Sequence, residues 1–299
     1  MKYSHNLQIL IEMYKFVSQI FCLSINKKNI RMKLKFISLS LTLILASCAI
    51  VKTLNLYSID DDKEMGRQMY AQIANAKSDF PLLDSARNVA AYAHINRIMN
   101  AILNSGVVAH RNDFDWTVKI IDSDVLNAFA VPGGKLYFYT GLIKYLDNEA
   151  QLAGVMAHEI AHVAARHSTQ QMTKQLGSQY ITSLILGENP NQYLAIAGQL
   201  ANGLGGLAFS RTDEYEADAL AVQYLSRTEY NPLGVAGFFE KIINETGSAE
   251  QSKLQTFMST HPSSADRVRK IREAWVANGS KTGNDFKERY QQFKNSLPK

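Results

Sequence analysis

The feature that most constrains the fold of this 299-residue chain is the pentad His158-Glu159-Ile160-Ala161-His162, which lies in an apolar, alanine-rich stretch. Side chains four positions apart project from one face of an α-helix, so a helix here brings both imidazoles to a single metal ion. Glu159 lies beside them, where its carboxylate can take a proton from a water activated by the metal. The pentad therefore predicts a helix with a zinc site, in which His158 and His162 are ligands and Glu159 is the general base.

A third protein ligand must come from elsewhere, because catalytic zinc usually has three protein ligands and a water. The best source is the acidic segment 210–218, where Glu214 and Asp218 are four residues apart on one face of a predicted helix. One carboxylate can bind the metal while the other accepts a hydrogen bond from a ligand histidine. Spacing alone does not rank the acids of this segment, and a solvated acidic helix face has the same pattern.

The basic residues are concentrated at the N-terminus. Residues 1–47 hold seven lysines and arginines and one glutamate, so 25 basic and 26 acidic residues remain from residue 48 onward, although the whole chain carries a net charge of +5. The basic character therefore belongs to the leader, and the rest of the chain has no excess of positive charge for binding nucleic acid. We predict no nucleic-acid partner.

Residues 32–47 have the order of a bacterial export signal. A short basic start is followed by an apolar run and then by Leu-Ala-Ser-Cys at 45–48, which resembles a lipobox. In such a motif Cys48 becomes the lipidated first residue of the mature protein; an ordinary signal peptide with a chance cysteine is the alternative. Because this signal is complete from Met32, residues 1–31 are interpreted as a mis-assigned start, with a genuine N-terminal extension as the alternative.

The chain after the leader is predicted to form a short tether and one domain. Residues 48–62 show little pattern and are interpreted as the lipidated tether, while residues 63–299 are long enough to enclose one sizeable core. No apolar run after Cys48 reaches the 18 residues of a membrane-spanning helix. We therefore expect the lipid alone to hold the protein at a membrane.

Hydrophobic periodicity divides this domain into an early mixed part and a later helical part. The early part has predicted helices at 63–76 and 84–104, the second capped by Asp84, and predicted strands at 114–121, 125–131 and 135–139. The later part has the pentad helix, a helix reaching about 186, and others at about 191–208, 212–227, 233–246 and 263–278. The predicted fold class is α+β, predominantly helical, with a small β-sheet beside the pentad helix.

The two motifs together resemble the zinc metallopeptidase family that includes HtpX and the CAAX prenyl proteases, and above all its periplasmic lipoprotein branch. That family pairs an HExxH helix with a later Glu-x-x-x-Asp, which often follows Ser-Arg and contains Ala-Asp. Here the second motif is residues 214–218, after Ser-Arg at 210–211. The resemblance also covers Asn-Ala-Phe-Ala-Val-Pro-Gly-Gly at 127–134 and Ser-Thr-His-Pro at 259–262, and it spans about residues 60–278.

The resemblance implies a zincin-like domain with one Zn²⁺ per chain, with Glu214 as the third ligand and Asp218 as its support. It also favours a site role for His261, whose imidazole would stabilise an oxyanion or occupy the open metal position in a resting state. A simple His-Pro turn before a helix is the alternative for His261. Arg211 either pairs with an acidic neighbour or helps to hold the site. The membrane-spanning helices of HtpX and the prenyl proteases have no counterpart after Cys48, so we expect no substrates buried in the bilayer.

Three further features of the sequence bear on the site and its cleft. His167 follows His162 by five residues, so it is expected to point away from the ligand face. The strand at 125–131 is interpreted either as an ordinary sheet edge or as the strand to which a peptide substrate adds, with Asn127 and Ala128 nearest the scissile bond. The region 172–209 forms either plain core or a mobile cover over the cleft.

The predicted function is a zinc-dependent endopeptidase that cleaves misfolded or unassembled envelope proteins. It would be held by the lipid on Cys48 at the periplasmic side of the outer membrane, since Ala49 rather than Asp follows the cysteine. One alternative is a periplasmic assembly chaperone for outer-membrane proteins with little proteolysis. Another is a zinc hydrolase that acts on something other than peptides.

Overall fold

Helices packed around a small sheet make up the described part of the chain. The computed structural model describes residues 55–174, 209–244, 261 and 265–298. In chain order the elements are α1 (Ile59–Asn75), α2 (Val89–Leu103), β1 (Thr117–Ile121), β2 (Ala128–Val131), β3 (Lys135–Tyr139), α3 (Thr140–Tyr145), α4 (Glu149–Ala164), α5 (Arg211–Leu225), α6 (Gly234–Asn244), α7 (Ala265–Ala277) and α8 (Lys287–Asn295).

The predicted fold class is confirmed, and the three strands and the helices α4 to α7 match the predicted ones closely. The short helix α3 and the C-terminal helix α8 were not predicted. The leader 1–47, Cys48 and most of the segment 172–209 lie outside the described residues, so the interpretations placed on them stay predictions. Across the described ranges, no helix is both long and apolar enough to cross a bilayer.

The first helix begins inside the segment predicted as a tether. Ser58 caps α1 by a reciprocal pair of hydrogen bonds: its hydroxyl accepts from the Asp61 N–H at 3.1 Å, and the Asp61 carboxylate accepts from the Ser58 N–H at 2.7 Å. Asp62 is buried and accepts two hydrogen bonds from Arg166, at 2.6 and 3.0 Å. The tether boundary at 62 is therefore too late, since Asp62 already belongs to the folded domain.

The predicted cap of α2 is wrong. The helix begins at Val89, with Asn88 in the N-cap position, and Asp84 lies in the preceding turn. The Asp84 side chain accepts from the Ala86 N–H at 2.8 Å, and its carbonyl accepts from the Asn88 N–H at 3.0 Å. Aspartate stabilises such a turn as readily as a helix start, so the residue type alone did not decide between them.

The sheet has the strand order β1-β3-β2, with β3 in the centre. Strand β1 runs parallel to β3, and β2 runs antiparallel to β3. Gly133 and Gly134 form the turn between β2 and β3, with φ angles of 76° and 92° that favour glycine. Every residue of β3 is buried, while β2 is an edge strand of the described sheet and packs beside α4.

Helix α4, which carries the pentad, is buried along its whole length. It begins where Asn148 Oδ1 accepts a hydrogen bond from the Gln151 N–H at 3.0 Å. Small residues let α6 approach its backbone: a Cβ added to Gly234 would lie 2.1 Å from the carbonyl oxygen of Ala150, and one added to Gly154 would lie 2.6 Å from the Val235 nitrogen. The two helices therefore cross with their backbones nearly in contact.

The N-terminus of α4 is held by a buried carboxylate. Glu149 is fully buried and accepts hydrogen bonds from Arg97 at 2.6 Å, Arg289 at 2.6 Å and the Tyr230 hydroxyl at 2.8 Å. Burial raises the pKa of Glu149, but the hydrogen bonds from Arg97 and Arg289 outweigh it, and the net pKa is lowered. The ionised carboxylate thus ties α2, α4 and α8 together.

We predict that Gly234→Ala destabilises the domain by about 3 kcal/mol, because the added methyl group would meet the backbone of α4, which cannot move aside. The matched control is Gly237→Ala, one turn further along α6. The three atoms nearest to its Cβ would be side-chain atoms of Gln151, the closest at 3.4 Å. This control should be neutral or stabilising by up to about 1 kcal/mol, since alanine favours a helix over glycine. Urea unfolding measures both, and equal effects would contradict the close crossing.

Candidate metal centre

Four side chains from separate parts of the chain converge beside α4. They are His158 and His162 of α4, Glu214 of α5, and His261. Each offers one ligand atom, these atoms all lie within 4.8 Å of one another, and all four residues are buried. The i, i+4 spacing of the pentad places its two imidazoles on one helix face, as the sequence predicts.

The capping of α5 ranks the acidic residues that spacing left equal. The Ser210 hydroxyl accepts from the Asp213 N–H at 3.2 Å, and the Asp213 carboxylate accepts from the Ser210 N–H at 3.0 Å. Asp213 is therefore used at the helix start, and the side chain of Glu216 is 57% exposed. Glu214 and Asp218 remain, and both are buried against the pentad.

The ligand atoms have the mutual separations of a zinc shell. His158 Nε2 lies 2.9 Å from His162 Nε2 and 3.3 Å from His261 Nδ1. The Glu214 carboxylate places Oε2 at 3.5 Å from His158 Nε2 and Oε1 at 3.5 Å from His162 Nε2. Zinc binds such nitrogen and oxygen atoms at about 2.0–2.2 Å in a tetrahedron, which sets its ligand atoms about 3.3 Å apart. Three imidazoles and one carboxylate that face one point therefore fit a zinc ion.

The structure brings Asp218 behind the first ligand histidine. Asp218 Oδ1 lies 3.0 Å from His158 Nδ1, on the ring side away from the metal position. Arg267 of α7 is buried and donates to both oxygens of Asp218, at 2.8 and 2.7 Å. It also lies 2.6 Å from Glu214 Oε2. One guanidinium thus fixes both carboxylates, and Asp218 in turn orients His158.

These contacts keep both carboxylates ionised despite their burial. Burial raises the pKa of Glu214, but the charge of His261 and the hydrogen bonds from His162 and His261 outweigh it and lower the net pKa. Burial also raises the pKa of Asp218, and there Arg267 reverses the effect. A deprotonated carboxylate is the form that binds a metal ion or accepts from a ligand histidine.

Glu159 has a different environment from the other acids. It is buried, its Oε1 has no hydrogen-bond partner among the described residues, and the nearest imidazole nitrogen, Nε2 of His261, lies 3.5 Å away. Burial raises the pKa of Glu159, and the charges of His261 and His158 only partly oppose this. A carboxylate with a raised pKa next to a metal position is suited to accept and return a proton.

Comparison with known proteins places this site in a family. The model of peptidase family M48 matches residues 90–275, which include α4, α5 and most of α7. The chain belongs to peptidase family M48. The predicted family, metallopeptidase class and zinc cofactor are confirmed by this match together with the four-residue donor set.

Curated relatives include proteins named as peptidases. The chain is 30% identical over 223 residues to the mitochondrial metalloendopeptidase OMA1 of Schizosaccharomyces pombe, covering 73% of this chain and 62% of that protein. It is 35% identical over 177 residues to the beta-barrel assembly-enhancing protease of Escherichia coli, covering 56% of this chain and 36% of that protein. The chain thus spans between about a third and two thirds of the length of these two relatives.

The structure bears differently on two predictions about residues around this site. Arg211, expected to support the site or to pair with an acid, is exposed and has no hydrogen bond or ion pair with the described residues, so its role stays a prediction. His167, expected to point away, is buried with its Nδ1 2.9 Å from His162 Nδ1. The expectation assumed that the helix continues to His167. Instead α4 ends at Ala164, and Arg166 has a left-handed backbone with a φ of 60° that turns His167 toward His162.

The predicted substrate strand lies beside the catalytic helix. Ala128 begins β2 and Asn127 precedes it, and both residues are buried. The Asn127 carbonyl accepts from the Tyr139 N–H at 3.1 Å, which extends the pairing of β2 with β3 by one residue. The side-chain oxygen of Asn127 has no hydrogen-bond partner among the described residues.

Sequence reasoning missed Arg267, the residue that compensates two buried carboxylates. A signal existed: Arg267 lies four residues before Ile271, which is buried, so it falls on the inner face of α7, where an apolar residue is expected. An arginine at such a position indicates a buried acidic partner, because an unpaired charge is rarely buried.

We predict that Arg267→Leu lowers the free energy of unfolding of the metal-free protein by about 3–5 kcal/mol, because Asp218 and Glu214 would lose their shared cation. The control is Arg269→Leu on the same helix. The Arg269 side chain is 57% exposed and pairs only with exposed acids, so its loss should cost less than about 1 kcal/mol. Similar losses in the two variants, measured by urea unfolding, would contradict the compensating role of Arg267.

Proposed function

We propose that this M48 protein is a zinc-dependent endopeptidase that cleaves misfolded or unassembled proteins of the bacterial envelope. The observation that carries the proposal is the position of Glu159, a buried carboxylate of raised pKa beside the donor set of His158, His162 and Glu214. A binding protein would not need a buried carboxylate at that point whose Oε1 has no hydrogen-bond partner among the described residues, whereas hydrolysis needs a base there.

In this proposal Glu159 handles the proton. When bound, a zinc ion polarises water and the peptide carbonyl. The Glu159 carboxylate takes a proton from the attacking water and passes it to the nitrogen of the leaving amine. The buried position of Glu159 beside the donor set serves both steps, because one carboxylate can take the proton from the water and hold it until the amine accepts it.

His261 has two roles in the proposal. Its Nδ1 lies 2.9 Å from Glu214 Oε1 and belongs to the donor set, which supports a place for it as the fourth donor in the substrate-free enzyme. Substrate entry then requires the imidazole to leave that position. Burial lowers the pKa of His261, but the charges of Glu214 and Glu159 outweigh burial and raise it, which suits a later role as donor to the oxyanion.

The substrate is proposed to bind as an added strand on β2. This strand is an edge of the described sheet and packs beside α4, so a peptide along it would run past the metal position. Asn127 and Ala128 would lie nearest the scissile bond. The side-chain oxygen of Asn127 is buried and has no hydrogen-bond partner in the described part of the chain, which supports this placement because a peptide N–H would satisfy it.

The proposed location is the periplasmic side of the outer membrane, with the lipid of Cys48 as the anchor. The support is the export signal at 32–47, the cysteine that follows it, and similarity to a protein named beta-barrel assembly-enhancing protease. That name also supports a second candidate function, in which the chain assists assembly of outer-membrane proteins and rarely cuts them. Unfolded or misassembled envelope proteins are the proposed partners in both cases.

We predict that Glu159→Gln lowers cleavage of casein by at least about 100-fold while zinc per chain is unchanged, because the base is lost and the ligands are kept. The control is Glu240→Gln, which changes an exposed glutamate of α6 that pairs with Arg272. It should cleave casein at the wild-type rate. Glu214→Ala, in contrast, should lose zinc and activity together.

Equal cleavage by the wild type and Glu159→Gln would end the proposed mechanism. If neither protein cuts casein, and both suppress aggregation of an unfolded porin, the assembly function replaces the protease function. Full zinc in Glu214→Ala would remove Glu214 from the ligand set. Where the wild type cleaves casein, a chelator should abolish that cleavage, since the proposed reaction requires the metal.

We predict that the chain expressed in a Gram-negative host is cleaved before Cys48 and carries a diacylglycerol-modified N-terminal cysteine. Mass spectrometry of the N-terminal peptide measures the lipid directly. Cys48→Ser should abolish the lipid mass and release the protein from washed membranes. A wild-type peptide with an unmodified Cys48 would exclude the lipid anchor, and an N-terminus upstream of residue 32 would exclude the proposed start.

A further inference from the structure

His167 contacts His162 on the side of its ring that faces away from the metal position. It is buried, and its Nδ1 lies 2.9 Å from His162 Nδ1. The contact depends on the turn after α4, where Arg166 adopts a left-handed φ of 60°. Arg166 is held there by the Asp62 carboxylate and by the carbonyls of Tyr57 and Ser58, at 2.6 and 2.9 Å. A strained residue fixed by four hydrogen bonds indicates that the position of the following side chain is specified.

The ring atoms assign a direction to this hydrogen bond. His162 Nε2 faces the donor set, 2.9 Å from His158 Nε2 and 3.5 Å from Glu214 Oε1. A neutral histidine that binds metal through Nε2 carries its proton on Nδ1, so His162 Nδ1 is a donor. His167 Nδ1 must then accept and its proton must reside on Nε2. That Nε2 lies 3.7 Å from a carboxylate oxygen of Glu216, whose negative charge favours a proton there.

We propose that His167 is a positioning residue for the zinc site, accepting a hydrogen bond from His162 Nδ1 and thereby fixing its tautomer and ring orientation. This inference rests on the zinc site of the proposed function. Histidine ligands almost always donate their second ring N–H to such a partner. Asp218 serves His158 in this way, and His167 would serve His162 without adding charge.

A neutral partner fits the charge balance of the site. Glu159, Glu214 and Asp218 are three buried acids, and Arg267 is the cation that contacts two of them. A carboxylate in place of His167 would bury a further negative charge. Among the described residues, no cation would be in contact with it, so the free-energy cost of removing this charge from water would not be compensated. An imidazole accepts the same hydrogen bond at no such cost.

Packing alone would not achieve the same result. Phe209 stacks on the His162 ring, with the centroids 4.0 Å apart and the planes 23° apart. Stacking fixes the plane of the imidazole but does not distinguish Nδ1 from Nε2, because a flipped ring fills nearly the same volume. Only a directional partner such as His167 makes one orientation and one tautomer preferred.

The first test compares His167→Asn and His167→Leu in the full chain, purified in detergent. Asn and Leu have nearly the same shape, but only Asn places an acceptor where His167 has Nδ1. Zinc affinity is measured by competition with a chromophoric chelator. We expect Leu to weaken zinc binding by about 10–100-fold and Asn to stay close to the wild type. Equal losses in the two variants, or no loss in either, would overturn the proposal.

Zinc binding by the wild-type chain distinguishes a failure of this inference from a failure of the proposed function on which it rests. A wild-type chain that binds no zinc would overturn both the zinc site and the role of His167. A wild-type chain that binds zinc, with unchanged binding in His167→Leu, would overturn the role of His167 alone. Thermal unfolding of the metal-free variants checks that each one folds.

A second test needs no variant and so remains decisive if His167→Leu does not fold. Nitrogen NMR of the zinc-loaded wild type, labelled in its histidines, reports the tautomer of each ring. We expect the proton on Nδ1 of His162 and on Nε2 of His167. A proton on Nδ1 of His167 would make it a donor rather than an acceptor and would overturn the proposal.

Discussion

The structure depends on the complete burial of α4, the helix that carries the pentad. A buried helix usually has an apolar surface on all sides, but this one presents Glu149, His158, Glu159 and His162 to the interior. Each of these groups needs a partner that compensates for lost water. Much of the remaining architecture supplies those partners. Helices α2 and α8 contact Glu149, α5 contacts His158 through Asp218, and α7 compensates the α5 carboxylates through Arg267. The close crossing of α6 then seals the helix from solvent.

At both ends of α4, arginine side chains compensate buried carboxylates. At the N-terminus two arginines surround the single carboxylate of Glu149, and at the pentad one arginine, Arg267, serves the two carboxylates of Glu214 and Asp218. The first cluster is complete without a metal, and its role is to hold helices together. The second has three imidazoles and an excess of negative charge at one point, so a bound cation completes it. Glu159 differs from both, because its Oε1 accepts no hydrogen bond from the described residues and its pKa is raised.

The sequence was sufficient where the chemistry follows from local helical geometry. Because His158 and His162 are four residues apart, both lie on the same face of their helix whatever the rest of the fold is. The same holds for Glu214 and Asp218. Predictions failed where a distant contact decides the local conformation. His167 was misplaced because Asp62 holds Arg166 in a left-handed turn, across 104 positions of the chain. The ranking of the acids also needed the fold, since only the capping of α5 shows how Asp213 is used.

These distant contacts explain why the geometry of the site depends on the folded domain and not on the pentad alone. The ligands come from three separate parts of the chain, and their supports come from α1, through Asp62 and the turn before His167, and from α7, through Arg267. An isolated pentad helix would present two histidines with free tautomers and would lack the carboxylate ligand Glu214. The arrangement that fits zinc therefore forms only when the domain has folded, and zinc binding in turn stabilises that folded state. A substitution that loosens one of these supports lowers zinc affinity without removing any ligand, because the ligand geometry is set from outside the shell.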